Sequence, residues 1–109
     1  MLIKKIYFRN NVQHIKILII CDKKSIGLLH GIINEDNCNI NVLNVKNEFQ
    51  NNGLGSMLIQ ELINYCSNND IKNITLDDMS DRFNQSHNIY MKFNFKYIMK
   101  GFPEMILYV

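Results

Sequence analysis

The sequence predicts an α/β (α+β) chain whose mixed, mostly antiparallel sheet carries two main helices. Three observations lead there: apolar runs broken by polar turns fill the first half, a 3.6-residue apolar period starts at Leu54, and a β-rich run returns at Ile71. With 109 residues there is room for one hydrophobic core, so residues 1–109 are read as one domain.

The first four runs, Leu2 to Phe8, Ile15 to Cys21, Ile26 to Ile33 and Ile40 to Val45, read as strands. Asp22-Lys23-Lys24-Ser25 and Asn34-Glu35-Asp36-Asn37 are short enough for hairpins, so the strands form an antiparallel meander. From Leu54 the period changes: Leu54, Met57, Leu58, Leu62, Ile63, Tyr65 and Cys66 gather on one helical face. Ser67-Asn68-Asn69-Asp70 ends that helix and Ile71 to Leu76 follows as a strand, which makes a crossover unit with two parallel strands. A second helix is expected over about Asn84 to Phe93. Phe95 to Met99 and Met105 to Val109 close the chain as strands around Lys100-Gly101-Phe102-Pro103-Glu104.

Composition narrows the function classes. Hydrophobic residues make up 47% and charged residues 20%, ordinary values for a folded domain. The net charge is +2 and no basic stripe is evident, so neither nucleic acid nor a membrane surface is suggested. No apolar run approaches the ~20 residues of a bilayer span, and no charged leader opens the chain. Cys21, Cys38 and Cys66 form neither a Cys-x-x-Cys pair nor an even framework, so reduced thiols, no metal site and a soluble, cytoplasmic protein are expected.

Asn52-Gly53 alone is a hairpin signal, but a hairpin needs a strand after it and here a helix follows. Strand, glycine turn and helix present backbone N–H groups at the positive end of a helix dipole, which suits a phosphate or pyrophosphate. Gly53-Leu54-Gly55 also opens like a dinucleotide-binding fingerprint, with Asp77 downstream for a ribose. Leu58 at the third glycine position and the preceding hairpins argue against that reading, and a Walker loop is absent.

Gln50-Asn51-Asn52-Gly53-Leu54-Gly55 resembles the [Arg/Gln]-x-x-Gly-x-[Gly/Ala] signature of the GNAT superfamily of N-acetyltransferases. Ile89-Tyr90-Met91-Lys92-Phe93-Asn94-Phe95 is similar to that family's Leu-Tyr-x-Lys-x-Gly-Phe motif, with Asn94 in place of the glycine. The likeness covers about Ile26 to Val109. Upstream it weakens, because only Arg9 to His14 separate the first two strands where a typical member has one or two helices.

The resemblance implies a parallel central pair splayed to admit acetyl-coenzyme A as cosubstrate. Leu43, Asn44 and Val45 would carry the pantetheine strand contacts, and Gln50, Asn51, Asn52, Gly53, Leu54, Gly55 and Ser56 would hold the pyrophosphate. Asn84, reached by a one-residue shift because Phe83 occupies the usual position, would bond the pantetheine. The implied reaction is direct attack of a primary amine on the thioester, with Tyr90 as the acid that protonates the leaving thiolate. The base position of some members holds Asn39. The base then falls to Asp77 or, by preference, Asp78, directly or through water, unless the two only cap a turn. His30 and His87 are expected to be structural, and Cys66 a packing residue.

An unidentified amine acceptor is the other expected partner. The short N-terminal region implies an open acceptor cleft, or one completed by a second subunit in a homodimer. The alternative is a noncatalytic acyl-coenzyme A binding or protein-interaction module on the same fold.

Overall fold

A computed structural model describes residues 1–78 and 88–109. The four early runs form β1 (Leu2–Arg9), β2 (Val12–Cys21), β3 (Lys24–Asn34) and β4 (Asn37–Val45), each paired antiparallel with the next. Their turns are made by residues that tolerate the left-handed backbone: Asn10 and Asn11 stand at φ 52° and 64°, and Asp22 and Lys23 at 51° and 65°. Such pairs match the twist of two-residue hairpins. The first two strands are therefore joined by Asn10 and Asn11 alone, where the family resemblance leads one to look for helices.

Helix α1 (Leu54–Asn68) follows, then β5 (Asn73–Asp77), a 3₁₀ turn over Ile89–Phe93, β6 (Lys96–Tyr97) and β7 (Glu104–Tyr108). The sheet order is β1-β2-β3-β4-β5-β7-β6, and β4 with β5 is its one parallel pair among the described residues. This is the mixed, mostly antiparallel sheet expected, with the parallel pair at its centre.

Two local expectations change. Among the described residues α1 is the one α-helix: the chain before Phe93 is a 3₁₀ turn from Ile89, and residues 84–87 of the expected second helix lie outside the described residues. The buried stripe of α1 is Leu58, Ile59, Leu62 and Cys66, whereas Met57 is 43% exposed. Sequence spacing tolerates either neighbour of Leu58; the sheet, which touches a narrower arc of the helix, selects Ile59.

That stripe packs on one face of the sheet against Ile15, Ile17, Ile19, Leu29, Cys38, Ile40, Ile74, Leu76 and Met105. The Cys38 and Cys66 thiols are both free and buried there. Its hydrogen bond to Cys66 and burial both push the Cys38 thiol upward, so it behaves as a packing group. No helix of the described residues is long and apolar enough to cross a membrane.

β4 carries one extra residue. Gly31 pairs with Ile40 but His30 pairs with Val42, so Asn41 has no opposite number on β3. A bulge bends its strand and re-aims a side chain. The parallel pairing with β5 ends at Ile40–Leu76, so the two strands part at this bulge.

Gly31 sits where β3 meets it. A Cβ there would lie 2.8 Å from Cys38 Sγ and 3.1 Å from Ile15 Cγ2, both in the packed core. Gly31→Val is expected to lower unfolding free energy by roughly 1–3 kcal/mol through overpacking, measured as a lower urea midpoint at unchanged slope.

Candidate functional site

Two cavities meet along β4. The first, about 510 Å³, is lined by Leu43 and Val45 of β4, by Gln50, Asn51, Gly53, Leu54, Gly55 and Ser56 at the start of α1, and by Phe49, Ile89 and Lys92. The second, about 280 Å³, lies where β4 and β5 part and is lined by Ile40, Asn41, Val42, Leu43, Leu76, Asp77 and Tyr90. Leu43 belongs to both.

Gly53 forms a turn between β4 and α1, as its sequence suggests. It caps α1 in the left-handed region at φ 80°, a conformation costly for other residues, and no atom of the described residues stands within 4 Å of where its Cβ would be. The bond closing the first turn runs from Met57 N–H to the Gly53 carbonyl at 3.0 Å. The amides of Leu54, Gly55 and Ser56 come before it and have no acceptor inside the helix. A Cβ on Gly55 would come 2.9 Å from Ile89 Cδ1, so the lack of a side chain lets the 3₁₀ turn close on the start of α1.

Polar side chains shape the loop from within. Gln50 Nε2 donates to the Val45 carbonyl at 2.9 Å and to Asn47 Oδ1 at 3.2 Å, tying the loop to the end of β4. Asn52 Nδ2 donates to the carbonyls of Phe49 at 3.4 Å and Gln50 at 3.3 Å. Asn52 is thus a loop brace beside the cavity. Asn44 is exposed and pairs with Leu28, on the opposite side of β4 from the lining residues Leu43 and Val45. Asn84 and His87 lie outside the described residues.

Lys92 was not singled out by sequence reasoning, although it stands in the quoted motif. It brings a cation to the cavity that the helix start already makes favourable to anions. Its signal would have been the spacing from Ile89, which puts both on the same side of a turn.

Tyr90 comes to the second cavity from the 3₁₀ turn. Asn88 caps that turn, its Oδ1 accepting from Met91 N–H at 3.0 Å, and Asn94 ends it at φ 70°, the left-handed conformation that the family's glycine would supply. The Tyr90 ring meets Phe95 edge-on with centroids 5.6 Å apart. Burial, with the negative charge of Asp78 second, pushes its hydroxyl up to about 12. The phenol is therefore a proton donor throughout the neutral range.

The two aspartates part company. Asp77 is exposed and lines the cavity. Asp78 is 5% exposed and accepts hydrogen bonds from the Tyr97 hydroxyl and from Asn88 Nδ2, the latter at 2.9 Å; its own N–H donates to the Pro103 carbonyl at 2.8 Å. Burial and this carboxylate push Tyr97 up to about 12 as well. His30 is held by His14, with Nδ1 and Nε2 2.9 Å apart, and burial lowers its pKa, which agrees with a structural role.

Both tyrosines stay protonated where an exposed phenol, at about 10, ionises. Unfolding above that pH releases protons that the folded chain retains, so this stabilisation is present below pH 10 and lost as the pH rises toward 12. In a tyrosinate absorbance titration at least two of the five tyrosines are expected to lag, and Tyr97→Phe to remove one of them.

Comparisons with known proteins agree with this geometry. A family model described as the acetyltransferase (GNAT) family matches residues 4–95. No curated protein matches the chain. Among solved structures, the PaiA N-acetyltransferase of Thermoplasma acidophilum, in complex with coenzyme A, is 19% identical with a TM-score of 0.71, over 88% of this chain and 60% of that one. A GNAT family acetyltransferase of Elizabethkingia anophelis with acetyl-CoA bound is 15% identical, TM-score 0.70, over 90% of this chain and 76% of that one. Ard1 of Thermoplasma volcanium is 16% identical, TM-score 0.71, over 86% and 70%. The likeness is one of fold, and the chain spans 60% of the length of the first of these proteins. With the family model covering most of its length, the chain belongs to the acetyltransferase (GNAT) family.

Proposed function

We propose that this chain binds acetyl-coenzyme A and transfers its acetyl group to a primary amine by direct attack. The observation that carries the reading is the meeting of two cavities at Leu43, one at the glycine-opened start of α1, the other between the parted strands with Tyr90. The residues present fit the cosubstrate: the first amides of α1 and Lys92 suit its pyrophosphate. From Asn41 to Val45 no strand pairs with β4 on its β5 side among the described residues, which leaves an edge for the pantetheine amides.

In this reading the amine nitrogen attacks the thioester carbon and the carbon–sulfur bond breaks. The sulfur takes a proton from the Tyr90 hydroxyl, and the amine gives one up to a carboxylate, leaving an amide and free coenzyme A. The proton goes to the Asp77–Asp78 pair. Asp77 is the member that lines the cavity; Asp78 serves through water or as the charge beside Tyr90. Asp77→Asn and Asp78→Asn compared on kcat/KM against pH distinguish them, since only loss of the base removes the acidic limb.

Calorimetry with acetyl-coenzyme A tests the cradle, and thiol release over a panel of polyamines, amino acids, aminoglycosides and peptides tests turnover. Absence of binding sinks the proposal. The second reading, a noncatalytic acyl-coenzyme A binding or interaction module, is favoured by Asn39 at the base position and by the two-residue turn between β1 and β2. Binding without thiol release across the panel would select it.

The same short turn motivates a homodimer in which a second subunit completes the acceptor side. Light scattering is expected to give twice the chain mass, and a monomer at working concentration rejects this part. Three free cysteines motivate a cytoplasmic setting.

A further inference from the structure

The outward face of β4 and β5 carries an oriented chain of side-chain hydrogen bonds that ends at the second cavity. Asn37 Nδ2 donates to Thr75 Oγ1 at 3.2 Å, the Thr75 hydroxyl donates to Asn39 Oδ1 at 3.0 Å, and Asn39 Nδ2 donates to Asn41 Oδ1 at 3.0 Å. Every bond points the same way. The threonine hydroxyl is consistent with that direction: it accepts from Asn37 and gives its single proton to Asn39, while the Asn39 amide nitrogen meets Asn41.

The last member, Asn41, is the bulge residue of β4 and lines the cavity with Tyr90 and Asp77. Its oxygen accepts from Asn39, and its amide N–H₂ is the donor it has for a ligand. Hydrogen bonds in a chain polarise one another, and an amide whose oxygen accepts a bond is a stronger donor at its nitrogen. The chain therefore delivers a strengthened donor to the place where β4 and β5 part.

Resting on the acetyl-transfer reading, we propose that Asn41 donates a hydrogen bond to the acetyl carbonyl oxygen and stabilises the negative charge it gains during attack. Thr75, Asn39 and Asn37 are positioning residues that act through it. In the reaction, the carbonyl carbon is one bond from the sulfur that Tyr90 serves. A donor and an acid lining one small cavity therefore address adjacent atoms of one thioester. A donor fixed before the reaction needs no reorganisation when charge develops, which is where such groups have their effect.

The same chain gives Asn39 a role. The position that holds a base in some relatives here holds an amide, and that amide passes polarisation on to its neighbour two residues away in place of taking a proton.

The test uses the full chain with acetyl-coenzyme A labelled with carbon-13 at the acetyl carbonyl, read by infrared difference spectroscopy. The unaltered protein is expected to shift the bound carbonyl stretch to lower frequency. Asn41→Leu is expected to return it to the value in water, Thr75→Val to an intermediate value, and Thr75→Ser, which keeps the hydroxyl, to leave it shifted. Turnover should fall about 100-fold in Asn41→Leu and roughly 10-fold in Thr75→Val, with the dissociation constant for acetyl-coenzyme A changed less than about threefold.

A carbonyl stretch identical in the unaltered protein, Asn41→Leu and Thr75→Val, all with ligand bound, overturns the inference and leaves the proposed function standing. A chain that binds no acetyl-coenzyme A overturns both.

Discussion

Tyr90→Phe is expected to lower kcat about 100-fold while the dissociation constant for acetyl-coenzyme A stays within a factor of two. General acid catalysis contributes roughly 10²- to 10⁴-fold, and the low end applies because water reaches a cavity at the surface. Phenylalanine keeps the ring that meets Phe95, so packing is preserved and the hydroxyl alone is removed. The pH profile gives a second reading. With the Tyr90 hydroxyl pushed up to about 12, the alkaline limb of the unaltered protein should not turn down near 10 as it would for an ordinary phenol. Stopped-time thiol release across pH, together with calorimetry, checks both. Unchanged turnover in a variant that still binds would reject the acid role.

Gly53→Val carries the second large effect. Its φ of 80° is open to glycine and strained for a β-branched residue, and the space beside it is that of the cavity it lines. Two losses are expected together. Stability falls by about 1–2 kcal/mol from the left-handed backbone. Acetyl-coenzyme A binding weakens about 100-fold, since one or two hydrogen bonds to charged phosphate oxygens are worth about 1.5–3 kcal/mol each. Gly53→Asn separates them, because asparagine tolerates this conformation but still puts a side chain where a phosphate must approach. Calorimetry should show Asn near Val in affinity, and thermal melts should show it near the unaltered chain in stability. An asparagine variant with full affinity would locate the pyrophosphate elsewhere.

How far the sequence carried each element follows from how local its cause is. The hairpins at Asp22-Lys23-Lys24-Ser25 and Asn34-Glu35-Asp36-Asn37 are legible because polar residues stand between apolar runs and short turns are decided by the turn residues themselves, whereas the turn at Asn10 and Asn11 lies within the longer Arg9-to-His14 connection read from the sequence. The glycine turn is legible for the same reason. The 3₁₀ turn before Phe93 is not: five residues hold too little periodicity to separate 3₁₀ from α, and the Asn88 cap that shapes it gains its second partner from Asp78. Met57 and Ile59 flank Leu58 on opposite sides of α1, and the sheet decides which of them is buried.

Site residues divide along the same line. Leu43, Val45 and the Gln50-to-Ser56 segment are found together at the first cavity, except that Asn52 braces the loop; Asn44 faces away because neighbours on a strand alternate. Asp77 and Asp78 look alike in sequence, yet one lines the cavity and the other is buried against Tyr97 and Asn88. The difference lies in partners distant in sequence, since Asp78 meets Asn88 and Tyr97 whereas Asp77 faces the cavity beside Tyr90.

By itself, then, the sequence determined the order of strands and helix, the left-handed turn at Gly53 and the pair of motifs that give the family, all set by conformational preferences within a few residues. The tertiary structure alone decided where the splay implied by the family resemblance begins: β4 gains a residue at Asn41 and parts from β5 beyond Ile40, at a cavity lined by Tyr90 and, of the two aspartates, Asp77. A bulge has no side-chain signature, because it is a mismatch between two strands and exists only when both are paired.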